Sequence, residues 1–217
     1  GGGGGGTCSK CGDAWTSLGP DLTRRLNRDS LPVMGKIWPR NSIARHQGTA
    51  DYGNISTIDE SPLRQGLLYV GTDDGVISVS RDGGATWNRI TKFPGVPDQT
   101  YVSRVVASRF NEGTVYATLD NHRNNDFKPY VLRSNDYGAH WNVITGNLPV
   151  NGSVQVIRED PVAQNLLFVG TEFGVLHTEL GGGSWTQLKY NIPTVAVHDI
   201  VIHPREHDLV IGTHGRG

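Results

Sequence analysis

The stretch Ser80-Arg-Asp-Gly-Gly-Ala-Thr-Trp87 decides the fold, because the chain repeats it. Ser134-Asn-Asp-Tyr-Gly-Ala-His-Trp141 keeps the same S-x-D-x-G-x-x-W spacing, and Thr178-Glu-Leu-Gly-Gly-Gly-Ser-Trp185 keeps the pattern without its Asp. The segment from Cys8 to Trp15 is a weaker fourth copy that retains only the Gly and the Trp. We call this eight-residue pattern the box. Its recurrence indicates a chain built from structural repeats.

Short apolar runs recur at fixed places around each box. One run precedes the box and ends in Thr, usually as Gly-Thr, at 67–72, 114–118, 166–171 and 209–213. A second lies further upstream, at 54–58, 103–107, 154–157 and 198–202, and a third follows the Trp, at 88–91 and 142–145. Runs this short and this rich in β-branched and aromatic residues predict strands. One unit therefore has four strands, named a to d from inner to outer, with the box between c and d.

Units of four short strands predict an all-β chain, and specifically a β-propeller of four-stranded antiparallel blades. Such a sheet has two apolar faces and must bury both against neighbouring blades. We assign residues 8–217, about four blades, to the propeller, and residues 1–7 to a glycine-rich linker or a placeholder for an unassigned segment. We expect the blades to be part of a larger propeller with roughly six to eight blades.

Composition excludes several classes of function. The 20 Lys and Arg residues against 21 Asp and Glu residues leave a net charge of -1, so we expect no nucleic-acid partner. No apolar run approaches the roughly 18 residues of a transmembrane helix. Cys8 and Cys11 lack the further ligands of a zinc site, and His198, His203 and His207 are not spaced to share an ion, so we expect no metal and no cofactor.

The box itself is interpreted as structural. Its Gly permits a positive φ, its Ser and Asp oxygens accept hydrogen bonds from turn N–H groups, and its Trp buries a large ring. These roles need no ligand, so we do not expect the Asp residues to be catalytic. The structural set is Ser80, Asp82, Gly84, Trp87, Ser134, Asp136, Gly138, Trp141 and Trp185.

Ligand-binding residues are expected on the face opposite the boxes. Loops of an antiparallel blade alternate between two faces, so the b–c turns and the d–a connections share one of them. The sequence from 119 to 129 is a long b–c connection, and the segment from about 23 to 53 reaches the same face. Arg suits carboxylates and aromatic rings suit sugars. The candidates are Trp38, Arg40, Arg45, His46, His122, Arg123, Asp126, Phe127, Lys128, Tyr130, Glu172, Phe173, His214 and Arg216.

The repeated box resembles the Asp-box, or BNR, repeat of sialidases, xyloglucan-cleaving glycosidases, photosystem assembly factors and the sortilin propeller. The sequences of 121–130, 156–161 and 212–216, and their order along the chain, are most similar to those of bacterial secreted sortilin-like proteins, often described as "glycosyl hydrolase, BNR repeat". The resemblance covers roughly 8–217 and implies a secreted or periplasmic protein. It does not imply catalysis, because the box occurs in enzymes and in binding proteins alike.

Three functions remain open. The first is a non-catalytic interaction module that binds a protein, a peptide or a glycan through its loop-rich face. The second is a glycoside hydrolase of sialidase or endoglucanase type, whose carboxylates would come from Asp51, Asp126, Glu172 and Asp199. The third is an accessory subunit of a larger extracytoplasmic or membrane-associated complex.

Overall fold

The computed structural model describes residues 54–188 in full and, outside that range, the backbone of six strands. Four of these precede residue 54: β1 (Thr7–Cys8), β2 (Asp13–Ser17), β3 (Ser30–Val33) and β4 (Lys36–Pro39). β3 and β4 form a two-stranded hairpin. The described residues contain strands, turns and one short 3-10 helix, and no α-helix, which confirms the all-β prediction.

Three complete blades follow, each a four-stranded antiparallel sheet with its strands in chain order. The first blade contains β5 (Ile55–Glu60), β6 (Leu68–Thr72), β7 (Ile77–Ser80) and β8 (Asn88–Ile90). The second contains β9 (Tyr101–Ala107), β10 (Val115–Asp120), β11 (Tyr130–Ser134) and β12 (Asn142–Val143). The third contains β13 (Val154–Glu159), β14 (Leu167–Thr171), β15 (Gly174–Thr178) and β16 (Thr186–Gln187). The predicted a-to-d order of strands is confirmed in each.

The core lies between successive blades. Side chains alternate across a strand, so β10 sends Leu119 toward the first blade and Tyr116 toward the third. Leu119 and Tyr69 belong to one apolar cluster, while Tyr116, Ile157 and Trp185 belong to another. Each middle strand is therefore buried on both faces, which explains why its sequence reads as a continuous apolar run.

A glycine allows close approach between the first two blades. A Cβ on Gly71, in the Gly-Thr end of β6, would lie 2.5 Å from Val102 Cγ1 of β9 and 2.7 Å from Thr57 Cγ2. No real side chain tolerates such contacts. The absence of a side chain at this Gly therefore allows the inner strand of the next blade to pack against the sheet.

A fourth sheet combines strands from both ends of the chain, and it corrects one prediction. β17 (Val197–Ile202) and β18 (Leu209–His214) pair as expected for strands a and b. Because the box lies between c and d, the Cys8 to Trp15 copy predicts c before the box and d after it, yet β2, which holds Trp15, lies beside β18, and β1 is outermost. β2 aligns five residue pairs with β18, whereas β1 has only two residues, so the longer strand takes the inner position.

The box corners and the b–c connections lie on opposite faces, as predicted. The c–d loop of each blade is hydrogen-bonded to its own a–b loop: Gly83 N donates to Gly66 O at 2.9 Å, Tyr137 N to Gly113 O at 2.9 Å, and Gly181 N to Asn165 O at 3.0 Å. In an antiparallel sheet this places the a–b and c–d loops at one end of the strands. The b–c connections and the segments that lead to the next blade occupy the other end, which we call the b–c face.

Candidate functional site

The two complete boxes have the same hydrogen bonds. Ser80 Oγ accepts a bond from Gly84 N and donates one to Asp82 Oδ1, both at 2.8 Å. Asp82 Oδ1 in turn accepts from Thr86 N at 2.8 Å. In the second box Ser134 Oγ bonds Gly138 N and Asp136 Oδ1 in the same way, and Asp136 Oδ1 accepts from His140 N, each at 2.8 Å.

These bonds bind the box carboxylates to their own turns. Hydrogen bonds from the side chain and backbone of Thr86 lower the pKa of Asp82 to about 2. Hydrogen bonds from the backbone and ring of His140 do the same for Asp136, whose pKa is also about 2. A carboxylate held ionised by a turn is a poor proton donor, which supports the structural interpretation of the box. In the third box, which has no Asp, Thr178 Oγ1 accepts from Gly182 N at a longer 3.3 Å.

The box tryptophans differ in their surroundings. Trp141 and Trp185 are buried, with 8% and 3% of their surface exposed, while Trp87 is half-buried. Trp185 Nε1 donates to Ile144 O, 2.9 Å away in the second blade, so this ring ties two blades together. Trp141 packs edge-on against Phe93 with ring centroids 5.7 Å apart, and its Nε1 has no hydrogen-bond partner.

The b–c connection of the second blade is far longer than its counterparts. It runs from 121 to 129, whereas the first blade uses 73–76 and the third only 172–173. The sequence predicted a connection from 119 to 129, which is two residues too long. Leu119 and Asp120 continue β10, opposite Val102 and Tyr101, because both side chains are buried.

Asp120 is the buried anchor of this connection, and sequence reasoning missed it. Only 1% of its surface is exposed, and its carboxylate accepts hydrogen bonds from His122 N at 3.0 Å, from His122 Nδ1, and from Gln155 Nε2 of the third blade. A 3-10 turn, His122–Asn124, follows, and Asn125 closes it in the left-handed region at φ 58°. The available signal was a lone acidic residue between a buried strand and a long insertion.

Arg123 joins the connection to the first blade. Its Nη2 donates to Asp73 O at 2.6 Å, and its guanidinium carbon lies 5.5 Å from the ring centroid of Tyr101. The structure therefore places the turns of the first two blades side by side on the b–c face.

Asp126 organises the second half of the connection. It accepts hydrogen bonds from Tyr130 Oη, from Asn121 Nδ2 at 3.0 Å, and from Lys128 N at 3.1 Å. Partial burial opposes ionisation of Asp126, but the bonds from Tyr130 and Asn121 outweigh it and its pKa is lowered. Burial and the neighbouring Asp126 carboxylate raise the pKa of Tyr130, a phenol with 7% of its surface exposed. Phe127, between these groups, is 40% exposed.

The remaining predicted residues lie in other elements or outside the described residues. Glu172 and Phe173 form the short b–c turn of the third blade and are exposed, with Phe173 N bonded to Thr171 Oγ1 at 3.0 Å. Trp38 lies in β4 and His214 ends β18, where the structure gives backbone positions only. Arg40, Arg45, His46 and Arg216 lie outside the described residues, as does Asp51. The structure thus brings together the six candidates that lie in 121–130.

A cavity of about 260 Å³ opens beside this connection, around the end of the short outer strand β12. Its walls are largely apolar and include Pro94, Val96, Val143 and Val150. Lys128, Pro129 and Tyr130 join it to the long connection.

Within the described part of the chain, no group of three or more His, Cys, Asp or Glu side chains is placed to hold a metal ion. His198 lies in β17, and His203 and His207 lie outside the described residues. Among those residues there is also no helix with the length and apolarity to cross a membrane.

Comparison with known proteins identifies the class through structure alone. No protein-family model matches the chain, and no curated protein sequence does. Among solved structures, an ancestral GH74 enzyme superposes with a TM-score of 0.58 at 18% identity over 72% of this chain. YCF48 from Cyanidioschyzon merolae gives 0.56 at 18% over 94%, and YCF48 bound to D1 peptide gives 0.53 at 17% over 70%. These are β-propellers, so the chain has a β-propeller fold.

The chain spans only part of each of these structures. It covers 21% of the ancestral GH74 enzyme, 54% of the Cyanidioschyzon merolae protein and 46% of the peptide-bound one. The chain therefore corresponds to part of a propeller of that kind.

Proposed function

We propose that the protein is a non-catalytic Asp-box β-propeller module that binds a peptide segment of another protein through its b–c face. The observation that carries this proposal is the connection 121–129, which is ordered by its own polar groups and yet leaves His122, Arg123, Phe127 and Lys128 exposed.

The fold does not require this connection. The first and third blades join the same two strands with four and two residues, at 73–76 and 172–173, and their sheets are complete. Ordering extra residues costs roughly 1–2 kcal/mol each in backbone entropy. A long connection that holds basic and aromatic side chains in place is typical of a binding surface, because loops on a rigid scaffold commonly carry function.

One similar structure supports the choice of a peptide. The YCF48 propeller is described as bound to D1 peptide, so a propeller of this shape has been seen with a peptide ligand. The cavity beside Lys128 offers an apolar recess next to polar groups, the combination that peptide side chains need. We also propose, from the Asp-box and sortilin-like resemblance, that the protein is secreted or periplasmic and is a subunit of a larger complex.

Glycoside hydrolysis is the second candidate, favoured by the superposition on GH74 enzymes. A sialidase-type site would need an activated Tyr nucleophile beside a carboxylate, and Tyr130 with Asp126 is the pair available on this face. Burial and Asp126 raise the pKa of that phenol, and its ring is 7% exposed, so it is neither ionised nor accessible. This geometry disfavours a sialidase-type nucleophile on this face, and we rank binding above catalysis. Hydrolysis of aryl-glycosides or of xyloglucan by the purified protein would reverse this ranking.

Exchange of the long connection tests the binding proposal. Residues 121–129 are replaced by the turn Asp-Asp-Gly-Val of 73–76, and both proteins are used to select ligands from a displayed library of random dodecapeptides. We expect the native protein to enrich peptides that the exchanged protein does not retain, with the same far-ultraviolet circular dichroism for both. Arg64→Gln, in an a–b loop on the opposite face, is the matched control and should select as the native protein does.

Equal selection by the native and exchanged proteins would overturn the proposal. Selection of no peptide, together with binding to a panel of immobilised oligosaccharides, would replace the peptide with a glycan.

A further inference from the structure

The charged side chains of the long connection and of the neighbouring turn 73–76 are sorted by sign, whereas Asp98 and Glu172 are exposed acids elsewhere on the b–c face. The acidic ones around the long connection are turned inward: Asp120 is buried and Asp73, Asp74 and Asp126 are half-buried. Each accepts a hydrogen bond from within the chain, Asp73 from Asn54 Nδ2, Asp74 from Thr72 Oγ1, and the other two as described above. The basic ones, His122, Arg123 and Lys128, are exposed. The acids around the connection are therefore hydrogen-bonded within the chain, Asp73 only by a long bond of 3.5 Å, while the exposed positions of the connection carry donors.

His122 is held so that only one of its ring nitrogens faces a ligand. Its Nδ1 is bonded to Asp120 Oδ2, and the same carboxylate accepts from two N–H groups, so the proton of that bond belongs to Nδ1. The side chain is nevertheless 55% exposed, against 1% for Asp120. This leaves Nε2 as the available atom: it carries no proton in the neutral ring and becomes a donor only when the imidazole is charged.

Arg123 follows this histidine in the chain, and most of the N–H groups of its guanidinium remain available to a ligand. The guanidinium has five N–H groups, and the bond to Asp73 O uses one of them. Its guanidinium carbon also lies 5.5 Å from the ring centroid of Tyr101 in β9. A guanidinium fixed in this way presents a fork that matches the two oxygens of a carboxylate.

We infer that His122 and Arg123 form a carboxylate-binding site for an acidic peptide, with buried Asp120 as the positioning residue. The inference rests on the proposed function, because it names the chemistry of the peptide that the b–c face would bind. The charge pattern favours an acidic ligand over a basic or neutral one. The exposed side chains of the connection are hydrogen-bond donors, and the acids beside them are already hydrogen-bonded within the chain, so an anion is the complementary ligand.

The site should depend on the protonation state of His122. The charged groups on the elements around it are Asp120 on β10, Arg104 on β9, Asp73 and Asp74 in the first turn, and Arg123, Asp126 and Lys128 in its own connection; Gln155 is neutral. Loss of the second ring proton would remove the Nε2 donor, so a comparison of binding at two pH values tests the part that His122 plays.

A set of matched peptides tests the inference. The probes are fluorescein-labelled decapeptides of Glu, Leu and Ser, with versions that carry Gln or Lys in place of Glu, and binding is measured by fluorescence anisotropy at about pH 5.5 and about pH 8.5. At the lower pH we expect the Glu peptide to bind at least about tenfold more tightly than the Gln peptide, and the advantage to shrink at the higher pH.

Three variants separate the roles. His122→Gln keeps a donor that does not titrate, so the Glu preference should lose its pH dependence. Asp120→Asn offers an amide N–H to Nδ1, which moves the ring proton to Nε2, so binding should persist at the higher pH. Arg123→Gln should weaken binding at both pH values, and Arg64→Gln on the opposite face should change neither.

The possible failures are distinct. If the Gln or Lys peptide binds as tightly as the Glu peptide, the inference is wrong but the peptide-binding function stands. If His122→Gln keeps the native pH profile, His122 is not the titrating donor and this site is overturned. If none of the three peptides binds and the dodecapeptide selection also fails, the proposed function falls with the inference.

Discussion

Replacing the box tryptophans by phenylalanine should affect the second and third blades differently. Trp141 and Trp185 occupy the same position of the box and are similarly buried, at 8% and 3% exposure. Only Trp185 uses its indole N–H, which donates to Ile144 O at 2.9 Å, whereas the Nε1 of Trp141 is buried without a partner. Both changes remove a similar amount of apolar ring, so the difference between them isolates the indole N–H.

The magnitude follows from the cost of unpaired polar groups. Trp185→Phe removes a hydrogen bond with a net value of about 0.5–1.5 kcal/mol and leaves the Ile144 carbonyl without this donor, which raises the cost to about 1–3 kcal/mol. Trp141→Phe removes a donor that was already unpaired, so no such cost applies. We therefore expect Trp185→Phe to lower the free energy of unfolding by about 1–3 kcal/mol more than Trp141→Phe does.

Urea unfolding followed by circular dichroism measures this difference. The two variants should share the native slope of unfolding free energy against urea, and their midpoints should differ in the expected direction. The same loss for both, or a greater loss for Trp141→Phe, would show that the bond between Trp185 and Ile144 does not join the second and third blades.

Three further predictions concern stability. Gly182→Ala should lower the melting temperature more than Gly83→Ala does. Both positions have a positive φ, but a Cβ at Gly182 would lie 2.6 Å from Ile144 Cβ, whereas a Cβ at Gly83 would meet nothing within 4 Å. Equal decreases in melting temperature would argue against this packing. Burial raises the pKa of Asp59 to about 6, so between pH 3.8 and 6 the folded state holds a proton that the unfolded state has lost, and the free energy of unfolding should fall as pH rises. In urea titrations Asp59→Asn should make the free energy of unfolding less dependent on pH over this range. An unchanged pH dependence would mean that another group causes it. Hydrogen bonds from His140 lower the pKa of Asp136 from 3.8 to about 2, so its contribution to stability is complete above pH 3.8 and is lost as the pH falls to about 2. The melting temperature of Asp136→Asn should therefore fall less in acid than that of the native protein. An equal fall for both proteins would contradict the box geometry.

Much of the fold could be predicted because its signals are local. Apolar runs closed by Thr are strands in all three blades, and the box residues bond to one another within a few positions, as Ser80 and Asp82 do. The strand order around the Cys8 to Trp15 copy was predicted wrongly because it depends on pairing between distant parts of the chain. Pairing between β2 and β18 joins residues almost two hundred positions apart, and no pattern within eight residues specifies which strand lies beside β18.

The candidate site was predicted only in part, for the same physical reason. The long connection was recognisable from its length and composition, and His122 and Arg123 were named from it. The residues that fix them were not found, since Gln155 and Tyr101 reach the site from other strands and Asp120 reads in sequence as the start of the loop. Burial of an acid and contacts between blades are properties of the packed structure, so they appear only when the blades are assembled.

Hydrogen–deuterium exchange with and without the Glu decapeptide, at about pH 5.5, tests the central claim most directly. The account predicts that peptide binding slows exchange of backbone amides at 121–129 and at 73–76, on the b–c face, and leaves the box turns at 81–86 and 135–140 unchanged. Slowed exchange at the box turns, with none at 121–129, would place the binding surface on the opposite face and contradict the account.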